Sequence, residues 1–468
     1  MIDGKKALLM LSGVAQMCEI VQDARAEGYY VIVTDYLLDS PAKKIADESW
    51  MLSIDDVDGI VKKCIERGVD GVMNYCIDPG QKPYQAICER LGMPCVGTRE
   101  QFDIMTNKDK FKKACKAHNI GVLDEYGSDD SALPKDLSKI KYPVMVKPAD
   151  GRASKGITVC YQSSELPYAI DVAMANSKLG RIVIEAFTKA PEVCAKYVVC
   201  EGEPFLTSMA DVHPGYTVDG RKAYIGTQTY PSVFLEEFQL DTDNRIRQMI
   251  RDLGILNGAL SFTGFYDNGV FKFFDPSFRM GGAQDWRLVA NISGVDISKM
   301  LTNFAMTGSM GNIDEIRKID GAFARKKSAL LYFLVREGKI GEIRGIKDAC
   351  SVDGVVGYHL PHIPGDVVTR FGTVDHVAIR FLVVCDTQKE FSRCVHEVQS
   401  MVDILDTNGE SMLLPLFDPD RKTYGGGEPP RLTSDAFRFE YIYKNRREIA
   451  ASRVGFAFAL HGEVRCCA

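Results

Sequence analysis

The segment Leu260–Gly282, LSFTGFYDNGVFKFFDPSFRMGG, holds the side chains whose types and spacing best suit chemistry. Asp275, Ser277 and Arg279 alternate there with Phe274, Pro276 and Phe278. Alternate residues of a strand share a face, so the spacing predicts a carboxylate, a hydroxyl and a guanidinium in one row, with the apolar residues opposite. Such a row suits a metal ion bound to phosphates, with the arginine steadying the same phosphates. The plainer alternative for an isolated D-x-S-x-R is a solvated sheet face ending in a salt bridge, so the surrounding elements have to decide. The strand itself starts from Asp267-Asn268-Gly269, where Asn-Gly tolerates the positive φ angles of a tight primed turn.

The elements upstream alternate. Strands are predicted at Lys6–Leu11, Tyr30–Thr34, Trp50–Ser53, Gly71–Tyr75 and Pro94–Val96, and helices at Val14–Glu27, Val57–Arg67 and Gln81–Leu91, closed by Gly28, Gly68 and Gly92. This alternation implies a doubly wound parallel sheet over residues 1–104. No G-x-G-x-x-G follows the first strand, so a dinucleotide site is not expected there. A helix is predicted over Asp103–Asn119; its lysines at 108, 110, 112, 113 and 116 read as a solvated face. Lys147 closes the apolar strand of Tyr142–Pro148, just before Asp150-Gly151-Arg152-Ala153-Ser154-Lys155-Gly156. Another strand, Ile157–Tyr161, comes next, which excludes a P-loop, although a loop of this kind can still close over phosphates through its N–H groups. An ordinary hairpin loop is the alternative.

A further strand, Arg181–Ile184, ends at Glu185-Ala186-Phe187, with Glu192 opening the next. Strands follow at Val193–Cys200 and Phe205–Val212, so residues 125–195 read as a small α+β lid inserted in a larger antiparallel unit. Helices are predicted at Trp286–Gly294, Ile297–Ala305 and Phe323–Phe333. Residues 335–430 are strand-rich with a helix at Thr387–Met401, and Tyr424–Gly427 reads as a linker. His359, His362 and His376 lack metal-site spacing and read as structural.

At 468 residues, 46% of them hydrophobic, the chain can bury several cores. Its net charge of −6, from Lys+Arg 57 and Asp+Glu 63, gives no support for nucleic acid or an anionic membrane as partner. No apolar run reaches the roughly 20 residues of a membrane span. The 14 cysteines include no C-x-x-C, and most stand singly in apolar segments, as free thiols of a reducing cytoplasm would.

Four features now stand in order: Asn107-Lys108, Lys147 before a Gly/Ser loop, Glu185 with Glu192 downstream, and Asp275-x-Ser277-x-Arg279 before Gly281-Gly282. The succession resembles the ATP-grasp family of carboxylate–amine ligases over about residues 1–345. The resemblance implies an α/β and α+β architecture: a pre-ATP-grasp parallel sheet at 1–104, an ATP-grasp domain with its lid at 105–310, and a C-terminal α+β domain at 311–468. It implies that Lys108 and Lys147 hold the phosphates of ATP, with Ser154 and Gly156 on the loop over the γ-phosphate. Glu185, Ala186 and Phe187 would form the hinge that reads adenine, Glu192 would bind the ribose, and His213 would line the same cleft. Asp275 and Ser277 would hold Mg²⁺, and Arg279 would act with Lys147 in catalysis.

One departure is plain. Members usually place a first acidic metal ligand twelve residues before the second, and that position here is Thr263. The expected chemistry is activation of a small carboxylate as an acyl phosphate, followed by attack of an amine, with ADP released. The expected partners are these small molecules, and a homodimer is the assembly the resemblance suggests. The alternatives are bicarbonate-dependent carboxylation, carbamoyl-phosphate chemistry, or an ATP-binding sensor without turnover.

Overall fold

A computed structural model describes residues 1–126, 137–149, 156–218, 222–369, 372–421 and 463–465. The chain divides into two compact units: Met1–Met73, His213–Gln228 and Ser328–Ala468 in the first, Asn74–Val212 and Thr229–Lys327 in the second. Among the described residues, no helix is long and apolar enough to cross a membrane.

In the first unit, the strands Glu48–Trp50, Tyr30–Thr34, Ala7–Leu11 and Gly71–Met73 lie in that order in one parallel sheet. Ala7–Leu11 is buried along its whole length, as a strand covered on both faces must be. The helix Val57–Arg67 ends where Gly68 takes φ +69°, a left-handed cap that glycine enters without a Cβ penalty. One prediction fails here. The helix expected over Phe323–Phe333 is a strand, Lys327–Leu334, buried from Ser328 onward. Ser328–Val335 is an unbroken apolar run after its first serine, and such a run carries no helical period to set against a buried strand. The helix Gln388–Met401 starts from a reciprocal Thr387/Glu390 capping box. Two of the histidines lie against backbone carbonyls: His376 Nδ1 is 2.6 Å from Val335 O, and His362 Nε2 is 2.9 Å from Asp375 O.

The second unit is organised by the hairpin Gly258–Asp267/Val270–Ser277, whose turn has Asn268 at φ +51° and Gly269 at φ +81°. Glu192–Cys200 flanks the hairpin in antiparallel register, and Gly121–Val122 pairs with its other edge. Thr263 stands opposite Asp275 but Gly264 opposite Phe273, so Phe274 is an extra residue in the second strand. That bulge corrects the predicted alternation, because an added residue shifts the side-chain phase. Phe271 and Phe273 are the buried aromatics of this strand, while Phe274 stacks on Phe265 at 5.0 Å. Pro94–Val96 forms no strand.

The single helix predicted over Asp103–Asn119 is two, Arg99–Thr106 and Lys108–Ala117. Asn107 breaks it by taking an extended conformation and capping the second helix, accepting from the amides of Asp109 and Lys110. Phe111 fastens that helix to the hairpin by stacking on Phe262 at 5.9 Å. A smaller sheet, ordered Thr158–Cys160, Val144–Pro148, Ile182–Ala186, packs its own core of Val144, Val146, Cys160 and Ile184 under the helix Leu166–Ala175.

Candidate active site

Register alone assembles a polar face. Cys194, Thr263 and Asp275 stand opposite one another in one row, and Lys196, Ser261 and Ser277 in the next. Glu192, two residues before Cys194, belongs to the same face. Lys108, at the first turn of the helix capped by Asn107, brings its Nζ to 3.6 Å from Asp275 Oδ1. Arg279 donates from Nε and Nη2 to the two carboxylate oxygens of Asp78, each at 2.6 Å, and from Nη1 to Met280 O at 2.7 Å. Gln81 Nε2 and Ser277 Oγ also donate to Asp78, at 3.0 and 3.4 Å. The guanidinium carries further N–H donors beyond these bonds.

Charges from distant parts of the chain meet at Asp275. Enclosure raises its carboxyl above the ordinary range; Lys108, Lys147 and Arg279 oppose the rise, and Asp78 adds to it. The Asp275 side chain nevertheless keeps 54% of its surface open, so a ligand can reach it. Burial pulls the Arg279 guanidinium down, but Asp78 more than restores it.

Lys147 and Lys112 belong to a drier cluster. The ammonium of Lys147 is paired with Glu185 Oε1, and Lys112 Nζ lies 3.1 Å from Glu185 Oε2 and 2.5 Å from Glu125 Oε2. All four side chains are buried. Burial pushes the Glu185 carboxyl up, yet the two lysines outweigh it and leave it below the usual range. Burial pulls Lys112 down, and the two glutamates reverse this. For Lys147 burial wins, with the neighbouring lysines on its side, and its ammonium is held below the ordinary lysine value. Lys112 therefore departs from the solvated face expected of the lysine run. At the end of the strand Ile182–Ala186, the amides of Ala186 and Phe187 donate to Asp124 O and Pro143 O at 2.8 and 3.0 Å.

Of the other residues singled out by sequence, Gly156 is placed with φ +72°, where a Cβ would come within 2.9 Å of both Asn176 and Pro148 side chains. Ser154 lies outside the described residues. His213 belongs to the first unit, where its ring packs on Phe417 at 4.8 Å and burial holds its pKa down at about 4. Thr263 Oγ1 lies 3.6 Å from Cys194 Sγ and donates to it. Sequence reasoning missed Asp78, Lys112, Glu125 and Lys196; Asp285 lies in the loop Gly281–Arg287, which the resemblance implies would contact the substrate carboxylate together with Arg279. Lys196 Nζ lies 2.6 Å from Asp285 Oδ1, with little of either side chain exposed.

The comparisons with known proteins bear on this geometry. The family described as D-ala D-ala ligase C-terminus matches residues 123–233. An L-amino acid ligase from Bacillus licheniformis superposes with a TM-score of 0.70 at 18% identity, over 86% of this chain and 99% of that one. The biotin carboxylase domain of 2-oxoglutarate carboxylase from Hydrogenobacter thermophilus superposes with a TM-score of 0.66 at 17% identity, over 88% of this chain and 91% of that one. The chain shares the fold of these two proteins. A formate-dependent phosphoribosylglycinamide formyltransferase from Synechococcus sp. (strain CC9311) is 24% identical to this chain over 187 residues, 39% of this chain and 48% of that protein. The chain thus spans about half the length of the curated relatives it matches first.

Proposed function

We propose that this chain is an ATP-grasp protein, an ADP-forming ligase that activates a small carboxylate as an acyl phosphate and joins it to an amine. The observation that carries the proposal is the convergence on Asp275 of Lys108, Lys147 and Arg279, which come from a helix start, a separate small sheet and the end of the hairpin. Lys108 and Lys147 hold the phosphates of ATP. Because burial lowers the pKa of Lys147, Glu185 is needed to keep that lysine charged in a dry site. The amides of Ala186 and Phe187 are already engaged, so the adenine is read by other backbone groups at the hinge.

The oxygen donors fit a single magnesium ion. Asp275 would supply a carboxylate and Ser277 a hydroxyl to an ion otherwise held by phosphates and water. Thr263 turns its hydroxyl to Cys194 and contributes no charge, so a second ion lacks an acidic ligand. When bound, magnesium neutralises phosphate charge. The protein's own residues then act by position and charge: Arg279, fixed by Asp78, meets the transferring phosphoryl group while the substrate carboxylate attacks it and ADP leaves. The amine next displaces phosphate from the acyl carbon.

Release of ADP on mixing with ATP, Mg²⁺ and a panel of amino acids and small carboxylic acids tests this. Turnover should require a carboxylate and fall at least ~100-fold in Arg279→Ala and in Lys147→Met. Turnover that survives both substitutions removes these residues from the mechanism. ADP release driven by bicarbonate alone would move the reading to carboxylation. The Hydrogenobacter thermophilus biotin carboxylase domain is a dimer; a dimer is likewise the assembly proposed for this chain, and light scattering tests it.

A further inference from the structure

Lys196 is a cation on the polar sheet face that the ATP-grasp reading leaves without work; Lys272, further along the same face, is tied to Asp267 near the turn. It stands in the row of Ser261 and Ser277, beside the row of Thr263 and Asp275. Asp285 holds its ammonium at 2.6 Å, and both side chains are nearly buried. The pair also lies against Gly281. A Cβ on that residue would stand 2.9 Å from Asp285 Oδ1 and 3.4 Å from Lys196 Nζ. Gly281 is two residues past Arg279, so the backbone 279–282 runs between two ion pairs: Arg279 with Asp78 and Lys196 with Asp285.

A buried ion pair is a weak device for stability, since well-packed apolar residues of like volume serve as well. Its use here is to keep an ammonium charged at a fixed point. The charge balance of the face says what for. Where a carboxylate for a second metal ion would be expected, the chain has Thr263, and the adjoining row supplies a cation instead. Acyl phosphate formation must bring a carboxylate against a phosphoryl group of the same sign, and a cation at that point offsets the repulsion. We infer that Lys196, held by Asp285, is a substrate-binding and specificity-determining residue that grips the reacting carboxylate beside Gly281-Gly282 in place of a second metal ion. The inference rests on the ligase reading above.

The test uses the full chain with the paired substitution Lys196→Met/Asp285→Leu, which removes both charges and keeps the volume, and with Lys196→Arg. The double variant is expected to keep the wild-type melting temperature within a few degrees and the wild-type affinity for a non-hydrolysable ATP analogue. Its KM for the carboxylate in ADP release should rise about 10- to 100-fold, with Lys196→Arg recovering part of the loss. A folded double variant whose carboxylate KM and kcat/KM match wild type overturns the inference. If the double variant does not fold, Lys196→Gln/Asp285→Asn, which keeps a hydrogen bond but no charge, takes its place. If wild type releases no ADP with any carboxylate, the ligase reading fails on its own. The inference is then read by calorimetry, titrating the same carboxylates into analogue-loaded protein. Binding weakened in the Lys196 variants upholds it; equal binding in wild type and variants, or none in wild type, overturns it.

Discussion

Two charge clusters in the second unit are built on opposite terms. Around Glu185 the groups are matched, two ammoniums against two carboxylates, and all are shut away from water. Around Asp275 they are open and biased: Lys108 and Arg279 hold two carboxylates, and Lys147 adds its charge from the neighbouring cluster. Such a dry, closed set cannot exchange partners without a large penalty, so it serves to fix Lys147. The open set loses little when a ligand replaces one of its own contacts. Salt should separate them as well, since exposed pairs are screened within about 8 Å at physiological ionic strength and buried ones much less.

The comparison breaks first at Glu185. Replacing it with Gln leaves two buried ammoniums short of a counter-charge, and the expected loss is about 3–5 kcal/mol, read as a fall of roughly 10 °C in thermal unfolding. A change under ~1 kcal/mol would mean the cluster is not dry. Asp275→Asn should do the reverse, leaving stability within ~1 kcal/mol and lowering the ADP-release kcat/KM about 10²–10³-fold.

A third carboxylate sharpens the contrast because its close partners are a hydroxyl and an amide. Asp211 accepts from Ser232 Oγ at 2.5 Å and Val233 N at 3.0 Å, and burial raises its pKa from 3.8 to about 6. Between these values the folded state binds the proton more tightly than the unfolded state, so stability should fall as pH rises from about 4 to about 6, by about 3 kcal/mol. Denaturant titrations across that range should show the slope in wild type and lose it in Asp211→Asn. The smallest effect belongs to Lys110, whose exposed pairing with Asp103 is worth only about 0.2–1 kcal/mol; Lys110→Ala in the same titrations should show no more.

What the sequence made legible was whatever local chemistry encodes. Val57–Arg67 and Gln81–Leu91 were bounded correctly because a glycine in left-handed conformation closes each, and Asn268-Gly269 announced the hairpin. The succession from Lys108 to Arg279 was readable because each residue sits at the edge of an element. Its partners were not. Asp78 reaches Arg279 across 201 positions, and Lys112 was hidden in a run of lysines in which Lys110, Lys113 and Lys116 are exposed. Long-range pairing of this kind is set by sheet register and helix docking, which leave no local trace. The strand at Lys327–Leu334 was misread for a related reason: burial on both faces erases the periodicity that separates strand from helix.

The extra residue at Phe274 has a consequence for how this hairpin can vary. Side chains along a strand repeat every two positions, so without it one phase would govern both the aromatic half near the turn and the acidic half near the exit. The inserted phenylalanine uncouples the two. Mutation can repack Phe271 and Phe273 without moving Asp275 or Ser277. Deleting that single position, by contrast, would rotate one half of the strand against the other and trade the oxygens of Asp275 and Ser277 for core hydrocarbon.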